Sequence, residues 1–474
     1  MGLWFSVNVS DSRGFRRALL IPLFGALLAG SVVAPAGAAP ASCENPGTAG
    51  EFTQVPAADL GFDAATLQQA VDFGTAKAST SIRILRHGCL AASNADGAAD
   101  AIPFPLASSS KGVVALAVGR AITLGLLGLD DRVGEHIGGI DQEHADITVR
   151  QLLTQSSGLD FSWGADIAGY YTDAVQQTLH LPFVAEPGTK FAYGQTTVTV
   201  LTRIVQNAAG RDFQDFVQQE LFGPLGIPRD HWVWVRDRSG DTIGAGGLAI
   251  RPGDMARLGQ LMVQRGAWRD QTLIDSAYLD ELSAPSPSNG GYGFLTWVNA
   301  GEDFHSVNAP VSKYVSHPVW QNAPRVLYGF VGMLGQLIIV VPSRDLVIVR
   351  DGLTSYFDPA DPSAGLTGES NPDLQEFLRL VVASIVDVPP PPYVGTPVHG
   401  SGGPLIDDPS QLVGFANPEL IFDTMVGTGR AGTPGCNIVI CNNELLPFSV
   451  ADLLGDAAAQ IGNAAGASIR DAGR

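Results

Sequence analysis

The sequence predicts a protein of mixed helices and antiparallel strands, and three observations carry that reading. Near the C-terminal side, the β-branched runs Leu337-Ile338-Ile339-Val340-Val341 and Leu346-Val347-Ile348-Val349 flank Pro342-Ser343-Arg344-Asp345, the pattern of a hairpin of two buried strands. Near the other end, Ile82-Arg83-Ile84-Leu85 and Cys89-Leu90-Ala91 flank His87-Gly88, a second hairpin. Before, between and beyond these hairpins, apolar residues recur at helical spacing.

In chain order, residues 46–59 read as an irregular lead-in. Phe62 to Phe73 has helical spacing, with Leu67, Ala70, Val71 and Phe73 apolar. After the first hairpin, Pro103 and Pro105 lead into a helix that starts at Ser108. Its run Val113-Val114-Ala115-Leu116-Ala117-Val118 is apolar on every face, as in a helix buried at a protein's centre. Leu129 to Val133 is a polar break. The run Ile147 to Leu153 reads as helical, with Thr148 as N-cap, and the helix is expected to stop at Ser156-Ser157-Gly158, where Gly158 suits a left-handed C-terminus. Residues 159–190 are irregular, and their aromatics Phe161, Trp163, Tyr170 and Tyr171 fit a pocket lining or a core equally well. Pro187-Gly188 is a turn, and Thr197 to Ala209 is a helix capped by Gly210. Gly244 to Gly247 is a bend with no strand before it, so it is not read as a phosphate loop. Residues 325–350 read as sheet and 374–386 as a helix. Pro389 to Pro392 is stiff and extended and marks a boundary. Beyond it the chain is rich in Gly, Pro, Asn and Ala, and Ala451 to Ile469 fits an amphipathic helix. No internal repeat is evident.

The chain has 474 residues, 45 % hydrophobic and 16 % charged, which supports a sizeable core. A formal charge of −19 argues against nucleic acid and anionic membrane surfaces as partners. At the N-terminus, Arg13, Arg16 and Arg17 precede an apolar run from Ala18 to Val33, then Ala34-Pro35-Ala36-Gly37-Ala38-Ala39. This is the pattern of a secretory signal with an A-x-A-like cleavage site; an uncleaved anchor is the alternative. The expected division is therefore a signal peptide over 1–39, a main domain over 40–388, and a Pro-rich linker with a C-terminal extension over 389–474. The expected location is secreted or cell-envelope, without stable membrane insertion once the signal is removed. Four cysteines in an exported chain suggest disulfides. Cys436 and Cys441 bracket a short segment and are paired; Cys43 with Cys89 is then left, stapling the mature N-terminus to an early strand. A lipid anchor on Cys43 is a weak alternative, because Pro40-Ala41-Ser42 lacks the usual apolar residue. No C-x-x-C or nearby His pair points to zinc, and no metal or cofactor is expected.

Chemistry enters at Ser108-Ser109-Ser110-Lys111. A serine and a lysine three residues apart share one helix face. A serine hydroxyl needs a neighbour to take its proton, and a lysine serves only if burial or nearby positive charge lowers its pKa. At a helix start, outward N–H groups can also stabilise an oxyanion. By itself, S-x-x-K reads more readily as a helix cap with a solvated lysine beyond it. Its weight comes from the motifs downstream, in order: Ile147-Thr148-Val149-Arg150-Gln151-Leu152-Leu153-Thr154-Gln155-Ser156-Ser157-Gly158-Leu159, Glu186-Pro187-Gly188-Thr189-Lys190-Phe191-Ala192-Tyr193, Gly246-Gly247-Leu248-Ala249-Ile250-Arg251-Pro252-Gly253-Asp254-Met255-Ala256-Arg257, Tyr292-Gly293-Phe294-Leu295-Thr296-Trp297 and Gly332-Met333-Leu334-Gly335-Gln336.

This ordered set resembles the serine β-lactamase and penicillin-binding-protein superfamily, in its class C-type branch of esterases, D-alanyl-D-alanine carboxypeptidases and nylon-oligomer hydrolases. It covers about residues 55–386. The resemblance implies an α+β fold: an antiparallel sheet built from N- and C-terminal strands, flanked by helices, with a mostly helical region inserted between. It implies Ser108 as the acylated nucleophile, Lys111 as proton acceptor and relay, and Tyr193 of a Y-x-N-like box sharing the base role. A phenol beside an ammonium group is expected to ionise more easily. The oxyanion hole is expected from the backbones of Ser108 and Gln336, with Gln195, Met333 and Gly335 binding substrate.

Two departures from the family pattern stand out. The second box is Tyr193-Gly194-Gln195, with glutamine for asparagine and one more methylene of reach. The third box, usually K-T-G or H-x-G, reads Met333-Leu334-Gly335 when aligned on Gly335-Gln336; a register on Gly332 puts Phe330 at its head instead. Either residue is apolar, which suits a neutral ester or amide better than a carboxylate-bearing β-lactam or D-Ala-D-Ala peptide. The implied function is an exported serine hydrolase acting on small ester or amide substrates, neutral esters favoured. The alternative is a non-catalytic envelope protein of the same fold, and a fluorophosphonate or β-lactam probe separates the two.

Overall fold

The β-branched runs form the centre of a sheet. The structure, a computed structural model, describes residues 41–94, 100–162, 166, 172–307, 312–356, 369, 371–395, 418–426, 440–441 and 444–445. Helix α1 spans Ala64–Ala76, N-capped by Asp63 through the Thr66 N–H. Strands β1, Ser79–Arg86, and β2, Cys89–Ser93, form the first hairpin, with His87 and Gly88 both left-handed in its turn. Short β3, Phe104–Pro105, precedes α2, Ser109–Thr123. Helix α3, Val149–Leu153, starts from Thr148 in a capping box with Gln151. It ends earlier than expected: Gln155 is already left-handed, and the left-handed Gly158 shapes the loop beyond. Helix α4, Thr196–Ala209, closes on left-handed Gly210 as expected.

Strands β4, Trp232–Trp234, and β5, Leu248–Ile250, join β3 in a small sheet of order β3-β5-β4. Helix α5 spans Pro252–Val263. Strands β6, Trp297–Val298, β7, Tyr328–Gly332, β8, Gln336–Val341, and β9, Leu346–Gly352, complete the main sheet, and α6 spans Pro372–Ala383. The main sheet has the order β2-β1-β9-β8-β7-β6, with every neighbouring pair antiparallel. The N-terminal hairpin thus docks beside the C-terminal one through β1 and β9, as the expected α+β architecture requires.

Alternation along the strands sorts residues between two cores. Phe330, Ile338, Val340, Val347 and Val349 cluster with Val113, Leu116 and Ala117 of α2 and with Met255, Leu258 and Leu261 of α5. Ile82, Ile84, Val331, Ile339 and Ile348 cluster with Leu67 and Val71 of α1 and Phe377, Leu378 and Val381 of α6. Because both faces are covered, the central strands read as unbroken apolar runs. Helix α2 is buried almost throughout, as its apolar faces predict.

A disulfide joins Cys43 to Cys89, tying the lead-in to the start of β2 as expected. The Cys436–Cys441 pairing, the signal segment 1–39 and the Ala451–Ile469 helix lie outside the described residues, as do Trp163, Tyr170 and Tyr171. Past the proline run, the helix Pro418–Val426 returns Leu420 to the first core. Among the described residues, no helix is long and apolar enough to cross a membrane.

Candidate active site

Ser108 stands immediately before α2, in the N-cap position, but its side chain makes no cap hydrogen bond. Ala107 before it is left-handed, with φ 47°. For a residue with a Cβ this conformation is strained, and it sets the entry into the helix at the serine. One turn into α2, Lys111 is 1 % exposed. Its Nζ donates to Ser108 Oγ at 3.0 Å, to Gln195 Oε1 at 2.6 Å and to the Ala245 carbonyl at 2.9 Å. The Gly244–Gly247 bend therefore supplies a carbonyl to the lysine. Burial draws the Lys111 ammonium down to about 7, against the opposing charge of Asp166. At neutral pH a large share of this lysine is therefore an unprotonated amine.

Tyr193 is brought to the same place. Its hydroxyl hydrogen-bonds the Ser108 side chain, and its ring lies 4.7 Å from Lys111 Nζ. The expectation that the ammonium eases ionisation of the phenol does not hold: burial raises the Tyr193 pKa, and the Ser108 hydrogen bond only partly offsets it. The amine meets the ring face, where the interaction is with the π-system. Tyr193 is further enclosed by Tyr292, at 6.0 Å between centroids, and by Trp297, at 6.4 Å. Phe161 covers Gly194, where an added Cβ would lie 2.8 Å from its ring, so this aromatic of the irregular segment packs against the second box.

The β7–β8 hairpin supplies the opposite wall, and here the site differs from expectation. A Cβ on Gly332 would fall 2.2 Å from the Leu106 carbonyl and 3.1 Å from the Ser109 N–H nitrogen, so the end of β7 lies against the start of α2. Gly335 instead turns away. It is left-handed, and a Cβ there would lie 2.6 Å from Arg350 Nη1 and 2.8 Å from Leu374. Met333 sits at the turn, 51 % exposed. Phe330 packs on α2 beside Lys111, where a Cβ on Gly112 would lie 2.0 Å from its ring. Gly332 and Phe330 thus lie against α2, whereas Gly335 lies against Arg350 and Leu374. Gln336 is the ladder partner of Gly332; its carbonyl accepts the Ser109 hydroxyl at 2.7 Å, and its amide brackets the Gly352 backbone. Arg325, a cation just before β7, is engaged by Glu302 and the carbonyls of Ala300 and Gly301.

Sequence reasoning missed two residues. Gly112 carries a usable signal, because a glycine inside a buried helix marks a close approach. Asp166 carries none, lying in an irregular segment. Its carboxylate is 2 % exposed and accepts from the Gln195 N–H at 2.8 Å and the Thr196 hydroxyl at 3.3 Å, at the start of α4. Burial raises its pKa to about 7, with these hydrogen bonds and the charge of Lys111 opposing.

Comparison with known proteins places the chain in a family. Residues 99–365 match the family model described as Beta-lactamase. An N-acetylmuramyl-L-alanine amidase of Bacillus subtilis (strain 168) is 24% identical over 331 residues, covering 58% of this chain and 71% of that protein. A putative D-alanyl-D-alanine carboxypeptidase of Escherichia coli (strain K12) is 23% identical over 59% of this chain and 74% of its own. Among solved structures, a putative beta-lactamase from Bacteroides dorei DSM 17855 superposes with a TM-score of 0.51 at 18% identity, covering 69% of this chain and all of that one.

Proposed function

The chain belongs to the β-lactamase family, and from that premise we propose that it is a serine hydrolase that cleaves small esters or amides through an acyl-enzyme on Ser108. The observation that carries this reading is the contact of Lys111 Nζ with Ser108 Oγ at 3.0 Å, made by a lysine whose burial brings it to about 7. In the neutral form Lys111 takes the Ser108 proton as Oγ forms a bond to the substrate's carbonyl carbon. The carbonyl electron pair moves to oxygen, and the N–H of Ser108 at the start of α2 faces the resulting oxyanion. The hairpin end of β7, at Gly332-Met333, replaces Gln336 as our choice for the second donor, because Gly332 is the residue pressed against α2. When the tetrahedral centre collapses, the leaving alkoxide or amine receives a proton relayed from Lys111 through the Tyr193 hydroxyl. Water then repeats the sequence on the acyl-enzyme and regenerates Ser108. Tyr193 serves as a neutral relay, since its raised pKa keeps it a phenol.

Neutral esters are the favoured class. Tyr328-Gly329-Phe330-Val331-Gly332 carries no charge, and Phe330 occupies the head of the third box. A substrate carboxylate brought to this strand end, where Met333 is exposed and Phe330 is buried beneath, loses hydration without a compensating partner. The amidase, carboxypeptidase and esterase names among the relatives, which include a lovastatin esterase of Penicillium rubens at 25% identity over 34% of this chain, are compatible with acyl transfer to water on this scaffold. The Cys43–Cys89 disulfide supports an oxidising, extracytoplasmic location, in line with export on a signal over 1–39. A panel of p-nitrophenyl esters, a chromogenic cephalosporin and a D-Ala-D-Ala peptide tests the proposal. Short-chain esters should be turned over fastest; a cephalosporin cleaved faster than any ester overturns the substrate class, and inertness towards all three favours a non-catalytic binding protein.

A further inference from the structure

Lys111 and Asp166 are buried groups of opposite charge, 1 % and 2 % exposed, and one residue joins them. Gln195 accepts from Lys111 Nζ through its side-chain oxygen at 2.6 Å and donates its backbone N–H to Asp166 at 2.8 Å. Thr196 adds its hydroxyl to the other carboxylate oxygen at 3.3 Å. The other groups around Lys111, namely the Ser108 hydroxyl, the Ala245 carbonyl and the Tyr193 ring, are uncharged. Asp166 is correspondingly the charge that opposes the effect of burial on Lys111, and Lys111 is the charge that opposes it on Asp166.

Building on the hydrolase reading above, we infer that Asp166 is a positioning residue that sets the pH at which Lys111 becomes a base, acting across the Gln195 bridge. Without it, burial alone would press Lys111 still further towards the neutral amine, and the lysine would lose the proton it must later return to the leaving group. With it, the amine and ammonium are both populated near neutrality, which a proton relay requires. The two sites titrate as a pair rather than singly, so the loss of one proton makes the other harder to remove. The start of α4 supports this arrangement, because its first N–H groups favour a carboxylate. Asp166 reaches the reaction only through Lys111 and touches no reacting atom.

The chain has four lysines, Lys77, Lys111, Lys190 and Lys313, so the Cε resonance of Lys111 in 13C-lysine-labelled protein is assignable from a Lys111→Met variant. The native protein should show Lys111 titrating near 7. In Asp166→Asn, which keeps an acceptor for the Gln195 N–H, the midpoint should fall by about 1–3 units. The acid limb of the pH dependence of kcat/KM for an ester should move down with it. Thr196→Val keeps the helix and removes only one hydrogen bond to Asp166; by making the carboxylate easier to protonate, it should shift Lys111 in the same direction by a smaller amount. An unmoved Lys111 midpoint in folded Asp166→Asn, or in Thr196→Val should the first variant not fold, overturns the inference. Because the titration is read by NMR, it holds whether or not the protein turns over: a midpoint that moves in a protein no acylating probe labels upholds the coupling and overturns the hydrolase reading instead.

Discussion

On one side of Ser108, Lys111, Tyr193 and Gln195 meet through short polar contacts. On the other, β7 brings Phe330 and Gly332 against α2, with Met333 exposed at the turn. The first wall gathers titratable and polar groups; the second is apolar and carries no fixed charge. This division separates two tasks. Proton transfer depends on a buried amine and its neighbours, whereas recognition of an anion depends on a donor placed on the strand. On the proposed reading the site keeps the first and lacks the second, which would favour uncharged acyl groups.

Substitutions on each wall probe this contrast. Ser108→Ala should have the largest effect, a loss of at least about 1,000-fold in ester turnover, with an unchanged circular dichroism spectrum because the side chain makes no cap hydrogen bond. Lys111→Ala comes next, with a loss of about 100- to 10,000-fold. In the native protein, kcat/KM should rise with pH through about 7, because the lysine accepts a proton only after losing its own. A profile flat from pH 5 to 9 contradicts the assignment of Lys111 as base.

On the apolar wall, Gly332→Ala should lower ester turnover by about 100-fold through misplacement of the hairpin, since its Cβ meets the fixed Leu106 carbonyl. Phe330→His should change specificity rather than rate. Restoring a donor at the third box should raise the cephalosporin-to-ester ratio of kcat/KM by about tenfold, as one added charge-assisted contact allows. An unchanged ratio means that the strand does not select for substrate charge.

The smallest effect is on stability. Asp351 on β9 is fully buried, neither carboxylate oxygen has a hydrogen-bond partner among the described residues, and burial raises its pKa to about 8. Unfolded, it titrates near 3.9. The folded state therefore holds this proton more tightly, and the stability so contributed is full below about pH 4 and is lost as pH rises through about 8. Asp351→Asn should raise the melting midpoint by about 2–4 °C at pH 8 and by progressively less towards pH 4. An equal effect at pH 4 and pH 8 would exclude this carboxylate as the cause.

Much of the fold was legible because its determinants are local. The strands of β8 and β9 are unbroken β-branched runs, the Thr148 capping box starts α3, and Gly210 ends α4. That Ser108, Lys111 and Tyr193 lie together was legible because the order of motifs survives in the chain. The register of the third box stayed open in the sequence because Gly332 and Gly335 look alike in one dimension. Only the three-dimensional turn shows that the first faces Ser109 and the second Arg350. Asp166 was illegible for a related reason: its partners, Lys111, Gln195 and Thr196, are between 29 and 55 residues away, and no periodicity marks it. The same distance in sequence explains the phenol, whose ionisation is governed by the ring-lined enclosure of Tyr292 and Trp297 rather than by the neighbouring ammonium.

The hydrolase reading of this site depends on Ser108 becoming acylated. Incubating the purified protein with a fluorophosphonate at pH 8, digesting it and mapping the adduct by mass spectrometry tests this directly. One adduct is expected, on the peptide containing Ser108-Ser109-Ser110-Lys111 and assigned by fragmentation to Ser108, and none in Ser108→Ala. Stoichiometric labelling of Ser109, Ser110 or a distant serine, or labelling that persists in Ser108→Ala, would contradict it.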